Sequence, residues 1–96
     1  MSYTIKYNNL DKSDSIDLFI EKKVSKITKF SWVEDIKFEL SKNEINLFVC
    51  KISAFIPKHG DIRCETTNSD ILVSITDSIQ KTVDLLVTIK EKRTSH

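Results

Sequence analysis

A single glycine, Gly60, in 96 residues excludes the usual phosphate-cradling loops, which need several glycines to bring backbone amides against a ligand. Histidine is nearly absent as well. His59 lies in a turn and His96 at the terminus, so they offer neither metal-ligand spacing nor a base beside a nucleophile. Active sites need titratable groups that converge in a pocket, and none converge here. No catalytic residue, metal site or cofactor is expected, and the chain reads as a non-enzyme. Long hydrophobic runs are missing too. The longest unbroken one, Leu47 to Cys50, falls far short of the ~20 residues of a membrane span, and there is no secretory h-region. A soluble, cytoplasmic chain without a membrane partner is the expectation. No linker, repeat or low-complexity stretch divides the sequence, so residues 1–93 read as a single domain and 94–96 as a loose end. A chain of this length buries roughly 65% of its unfolded surface, enough for one two-layer core.

What is present is periodicity. Ile16, Ile20, Val24 and Ile27 recur at helical spacing between Asp14 and Phe30, with Phe19 and Phe30 widening the apolar face. Ser13 stands as the N-cap, and Asp14 and Asp17 suit the positive end of the helix dipole. A second helix is expected from Asp70, its cap, to Lys92, with Leu72, Ile75, Ile79, Val83 and Leu86 on its apolar face. Four runs read as strands. Ile5 and Tyr7 alternate with polar neighbours in Tyr3 to Asn8, and Ile36, Phe38 and Leu40 alternate with Lys37, Glu39 and Ser41. The run Ile45 to Ile56 is followed by Pro57, Lys58, His59 and Gly60 and then by Ile62, Cys64 and Thr66, a hairpin signature. The order β-α-β-β-β-α gives an α+β two-layer sandwich, a four-stranded sheet with both helices on one face.

The two cysteines follow from that hairpin. If Ile56 pairs with Ile62, Cys50 and Cys64 stand about four strand positions apart, roughly 13 Å, beyond the reach of a disulfide. They read as small buried hydrophobes in a reducing compartment, with a metal or redox role as the alternative. Trp32, just after the first helix, reads as an aromatic lid over the sheet edge, and base stacking is its alternative. On the far side of the third strand Leu47, Val49 and Phe55 suggest an exposed apolar patch, which would suit self-association or a protein partner through the open sheet face.

Charge gives the remaining clue. The formal net charge is only +1, but Lys22, Lys26 and Lys29 share one face of the first helix, with Lys23 beside them. A stripe of ammonium groups can neutralise successive RNA phosphates with release of counterions, although a charge run on a helix is also what an ordinary solvated face looks like.

The positions Ile5, Tyr7, Asn8, Asn9, Leu10 and Ser13, then Lys23, Lys26, Ile27 and Phe30, and later Gly60, Ile62, Asp70, Ile75, Ile79 and Lys81 resemble the ribosome hibernation factors, also called ribosome-associated inhibitors or sigma-54 modulation proteins. The resemblance spans nearly the whole chain through dispersed positions. It implies a fold similar to a double-stranded RNA-binding domain and a short-form member that occupies the messenger and transfer RNA channel of the small ribosomal subunit. Contacts to 16S rRNA would come from Lys22, Lys23, Lys26 and Lys29 and, on the second helix, from Lys81, Lys90, Lys92 and Arg93. Three positions depart from the pattern: relatives tend to continue the basic series where this chain has Asp84 and Thr88, and to carry a tyrosine where it has Leu72. A protein-interaction module that uses the open sheet face, with RNA binding reduced or lost, is the second reading.

Overall fold

A computed structural model describes residues 2–94, with side chains through Lys92. Along the chain it places β1 (Ser2–Asn8), α1 (Asp14–Lys23), α2 (Ser25–Thr28), β2 (Asp35–Lys42), β3 (Phe48–Ile56), β4 (Gly60–Asn68) and α3 (Ile71–Thr94). The strands form one sheet in the order β1-β2-β3-β4. β1 and β2 run parallel, joined by the α1–α2 crossover, and the other two pairings are antiparallel. The expected α+β architecture therefore stands. Of the segment expected to be loose, Thr94 is the last helical residue, and Ser95 and His96 lie outside the described residues.

The core lies between the sheet and the helices. Ile36, Phe38 and Leu40 of β2 and Cys50, Ile52, Ala54 and Ile56 of β3 meet Ile20, Val24 and Ile27 from the first helical segment and Ile75, Ile79, Leu86 and Ile89 from α3. Alternation on the strands and the three-to-four spacing on the helices produce these faces. Ser13 caps α1 by accepting a hydrogen bond from the Ile16 amide at 3.4 Å, and Asp70 caps α3 by accepting one from the Leu72 amide at 2.9 Å.

Four details differ from the sequence reading, each for a local reason. The first helix is not continuous from Asp14 to Phe30. The Val24 carbonyl is shared by the amides of Ile27 and Thr28, and the Phe30 amide returns to Ile27, so i→i+3 bonds tighten the chain at Val24 and again after Thr28. The third strand starts at Phe48, not Ile45. Asn43 Oδ1 accepts from the amides of Ile45 and Leu47 at 3.1 and 3.0 Å, and Asn46 adopts φ 63°, which builds a closed turn there.

The β3–β4 register is shifted by two residues. Ile56 pairs with Gly60, and Ala54 with Ile62, because Lys58 at φ 68° and Gly60 at φ 103° close the hairpin within Pro57, Lys58 and His59. Cys64 then faces Ile52 and Cys50 faces Thr66, so the cysteines are diagonal neighbours at roughly 7–8 Å between Cα atoms, not 13 Å. Both are buried free thiols, and burial pushes Cys50 from the ordinary 9.0 to about 11, partly countered by its contact with the Ser78 hydroxyl.

Finally, α3 is rotated relative to the expected face. Leu72 is 42% exposed, while Ser74, Ser78 and Thr82 are fully buried. One turn apart, these small residues let the helix approach the sheet closely. Ser74 Oγ donates to the Phe48 carbonyl at 2.7 Å and Ser78 Oγ to the Cys50 carbonyl at 2.8 Å. From β4, Thr66 Oγ1 donates to the Ser74 carbonyl at 2.6 Å and meets Ser78 Oγ at 2.7 Å. Polar groups buried in this way stay inexpensive only because each finds a partner.

Candidate nucleic-acid interface

The lysine stripe survives the break in the first helix. Val24 and Lys29 both keep right-handed helical dihedrals, so the screw of the chain continues through the tightened turn. Lys22, Lys26 and Lys29 are exposed and Lys23 is half-buried. Two of the four are held by rings. Lys23 Nζ sits 5.6 Å from the centroid of Phe19, one turn earlier, and Lys29 Nζ sits 5.6 Å from that of Phe30. The Phe19–Lys23 spacing of four was open to the sequence reading, which used Phe19 only as core. Among the described residues none of these four lysines joins a salt bridge. The acids of α1's first turn are engaged elsewhere: Lys12 Nζ lies 3.1 Å from Asp14 and 2.8 Å from Asp17.

That cluster anchors the start of α1. The Tyr7 hydroxyl donates to Asp17 at 2.7 Å and to the Ser13 carbonyl at 3.1 Å. Burial, reinforced by the Asp17 hydrogen bond, pushes the Tyr7 phenol up to about 12, and the Lys12 hydrogen bond, helped by Tyr7, holds Asp17 below the usual carboxylate range.

The basic residues of α3 divide between two flanks. Lys90 lies with Lys29 along an open groove of about 560 Å³, lined also by Phe30, Val87 and Glu91; tertiary packing therefore joins the end of the stripe to the last turns of α3. Lys92 is exposed on the same helix. Arg93 falls within the helical range, and its side chain is outside the described residues. Lys81 stands apart. It lies on the flank next to β4, between Asp77 and Asp84, and its Nζ reaches only the Glu65 carbonyl at 3.5 Å. Asp84 there accepts a hydrogen bond from Gln80 at 2.9 Å. Lys81 is thus not brought together with the other lysines, and its surroundings are acidic.

Trp32 packs edge-on against Phe30, with centroids 5.6 Å apart at 75°, and is half-buried. The expected apolar patch on the open sheet face does not form. Phe55 is exposed and Val49 half-buried, but Lys51 and Ser53 separate them along the strand, and Leu47 belongs to the preceding turn. The face is instead a lattice of charge: Glu39, Lys51 and Glu65 stand in register across three strands, as do Lys37, Ser53 and Arg63. Lys51 pairs with Glu65 at 3.6 Å.

Among the described residues no group of His, Cys, Asp and Glu is placed to hold a metal ion, and no helix is long and apolar enough to cross a membrane.

A family model described as sigma 54 modulation protein / S30EA ribosomal protein matches residues 3–94. A ribosomal subunit interface protein from Coxiella burnetii superposes with a TM-score of 0.85 at 16% identity, covering 94% of this chain and 98% of that one. The Protein Y N-terminal domain of Thermus thermophilus gives a TM-score of 0.73 at 22% identity, covering 84% of this chain and 89% of that one. No curated protein matches the sequence.

Proposed function

Because the chain belongs to the sigma 54 modulation protein / S30EA ribosomal protein family, a family of ribosome-associated subunit-interface proteins, we propose that it binds the small ribosomal subunit through 16S rRNA, in the channel used by messenger and transfer RNA, and holds the ribosome inactive under stress. In this reading residues 1–93 act as one cytoplasmic ribosome-binding unit, and inhibition comes from occupying space, with no chemical step.

The observation that carries the proposal is the exposed side of α1 and α2, where Lys22, Lys26 and Lys29 stand free of salt bridges among the described residues. Such ammonium groups keep their full attraction for phosphate, and each phosphate they neutralise releases condensed counterions. The rings of Phe19 and Phe30 restrict Lys23 and Lys29, which lowers the entropy lost when those side chains are fixed against RNA. Lys90, across the groove from Lys29, extends the contact to α3. Lys81, hemmed in by Asp77 and Asp84, contributes least.

The test is sedimentation of the purified protein with ribosomes and with separated subunits at low and moderate salt, beside a cell-free translation assay. Co-sedimentation with the small subunit, lost as salt rises and matched by inhibition of translation, is expected. Binding only to the large subunit, or binding without inhibition, overturns the proposal.

A further inference from the structure

The flank of α3 turned away from Lys29 and Lys90 meets the free edge of β4. β4 is the last strand of the sheet and pairs with β3 alone. Phe55 of β3 accepts a hydrogen bond from the Glu34 amide at 2.9 Å, on the β2 side, so its partner across the ladder, Asp61, directs its backbone away from β3. Antiparallel alternation then turns the N–H and C=O groups of Asp61, Arg63, Glu65 and Thr67 to the open side. The Lys81 ammonium reaches the Glu65 carbonyl from that side. At 3.5 Å this contact is long for a hydrogen bond and offers little resistance to a competing donor.

Between this edge and α3 runs a groove lined by Glu65, Thr67, Asp77, Gln80, Lys81 and Asp84. Glu65 is partly neutralised by Lys51, which leaves Asp77 and Asp84 against the single charge of Lys81. A second copy paired edge to edge would bring a second Asp77 and Asp84 to the same groove, and RNA phosphate would meet the same repulsion. An added strand with basic side chains suits both features. Its backbone satisfies the open groups of β4, and its residues opposite Cys64 and Thr66 point to the helix side, where the two aspartates stand.

We propose that the β4 edge and the Asp77–Asp84 flank of α3 form a docking site for an extended protein segment carrying lysine or arginine at alternate positions. The site is separate from the lysine stripe, so it stands or falls independently of the ribosomal RNA reading.

The probe is an eight-residue peptide of alternating lysine and valine, titrated into the isotope-labelled protein and read by amide shifts and hydrogen exchange. The amides of Arg63, Glu65 and Thr67 are expected to shift and to exchange at least tenfold more slowly. A glutamate–valine peptide is expected to leave them unchanged. Asp77→Asn with Asp84→Asn, both at exposed positions, is expected to weaken binding at least tenfold while the rest of the amide spectrum stays in place. A peptide N-methylated on the backbone positions that face β4 keeps its charge and is expected not to bind. Equal binding of the methylated peptide means charge attraction without strand addition and overturns the proposal, as does an unchanged affinity of the double variant. Protection that grows with protein concentration and needs no peptide assigns the edge to a second copy; protection by an oligouridylate assigns it to RNA. Either result overturns it too.

Discussion

The Thr66 hydroxyl of β4 lies 2.7 Å from the Ser78 hydroxyl of α3, inside a seam closed to solvent. Two hydroxyl protons there serve three short contacts, because Thr66 also faces the Ser74 carbonyl and Ser78 the Cys50 carbonyl. Each hydroxyl has one proton to donate. When both donate to carbonyls, the contact between them holds two oxygens with no proton of its own, so the two hydroxyls are coupled through this seam.

Ser78→Ala removes one member of this seam and is expected to cost about 1–2 kcal/mol, or roughly 5–15 °C in Tm. Thr66→Val is expected to cost a similar amount. Because the two share a contact, the double variant loses less than the sum of the singles, and thermal unfolding of all three measures the difference. Strict additivity would show that the hydroxyls act separately.

Lys22→Glu with Lys26→Glu is expected to abolish sedimentation with ribosomes while leaving Tm within a few degrees, since exposed charges contribute about 1 kcal/mol or less. These two are the cleaner choice because Lys23 and Lys29 also lie over phenyl rings. Retained binding would take α1 and α2 out of the interface.

Salt dependence gives a separate measure. If the stripe engages three or four phosphates, the logarithm of the affinity falls against the logarithm of salt with a slope of roughly −3. Lys26→Ala alone is expected to reduce the slope by about one. A slope near zero in the wild type would contradict phosphate contact altogether.

Cys50 sets an alkaline limit on stability. Its folded thiol is raised from 9.0 to about 11, so the unfolded chain loses this proton first. The Cys50 contribution is constant below pH 9 and is lost as pH rises from there towards 11, by about 2–3 kcal/mol in all. Urea unfolding at pH 8 and pH 10.5 measures the loss, and Cys50→Ala is expected to remove this part of it, leaving the contribution of Tyr7. Below pH 9 the Cys50 thiol reacts with a labelling reagent only as fast as the protein opens, and rapid labelling of the native state would contradict its burial.

The element order, both helix caps and the apolar faces of β2 and α1 were legible because they rest on local spacing and local hydrogen bonds. The exposure of Lys22, Lys26 and Lys29 was legible for the same reason. The β3–β4 register was not: a shift of two residues preserves which side chains point inward, so alternation alone cannot distinguish the two pairings. The burial of Ser74, Ser78 and Thr82 was not legible, because small hydroxyl residues look solvent-facing by polarity. Ser74 and Ser78 bond to carbonyls that only the assembled sheet supplies, and Thr82 bonds back to the Ser78 carbonyl of its own helix. The meeting of Lys29 with Lys90 and the seclusion of Lys81 among acids depend on how α3 lies beside α2 and β4, which no one-dimensional pattern contains.

The parallel pairing of β1 with β2 has a consequence for the order of assembly. β2, β3 and β4 follow one another through short turns, so this meander can close by local hairpin steps. β1 finds its place only after the whole α1–α2 crossover is laid down, a longer loop closure with a larger entropic cost. The first strand is therefore expected to dock last and to leave first. Native-state hydrogen exchange should find the amides that bond β1 to β2 opening at lower free energy than those between β2 and β3.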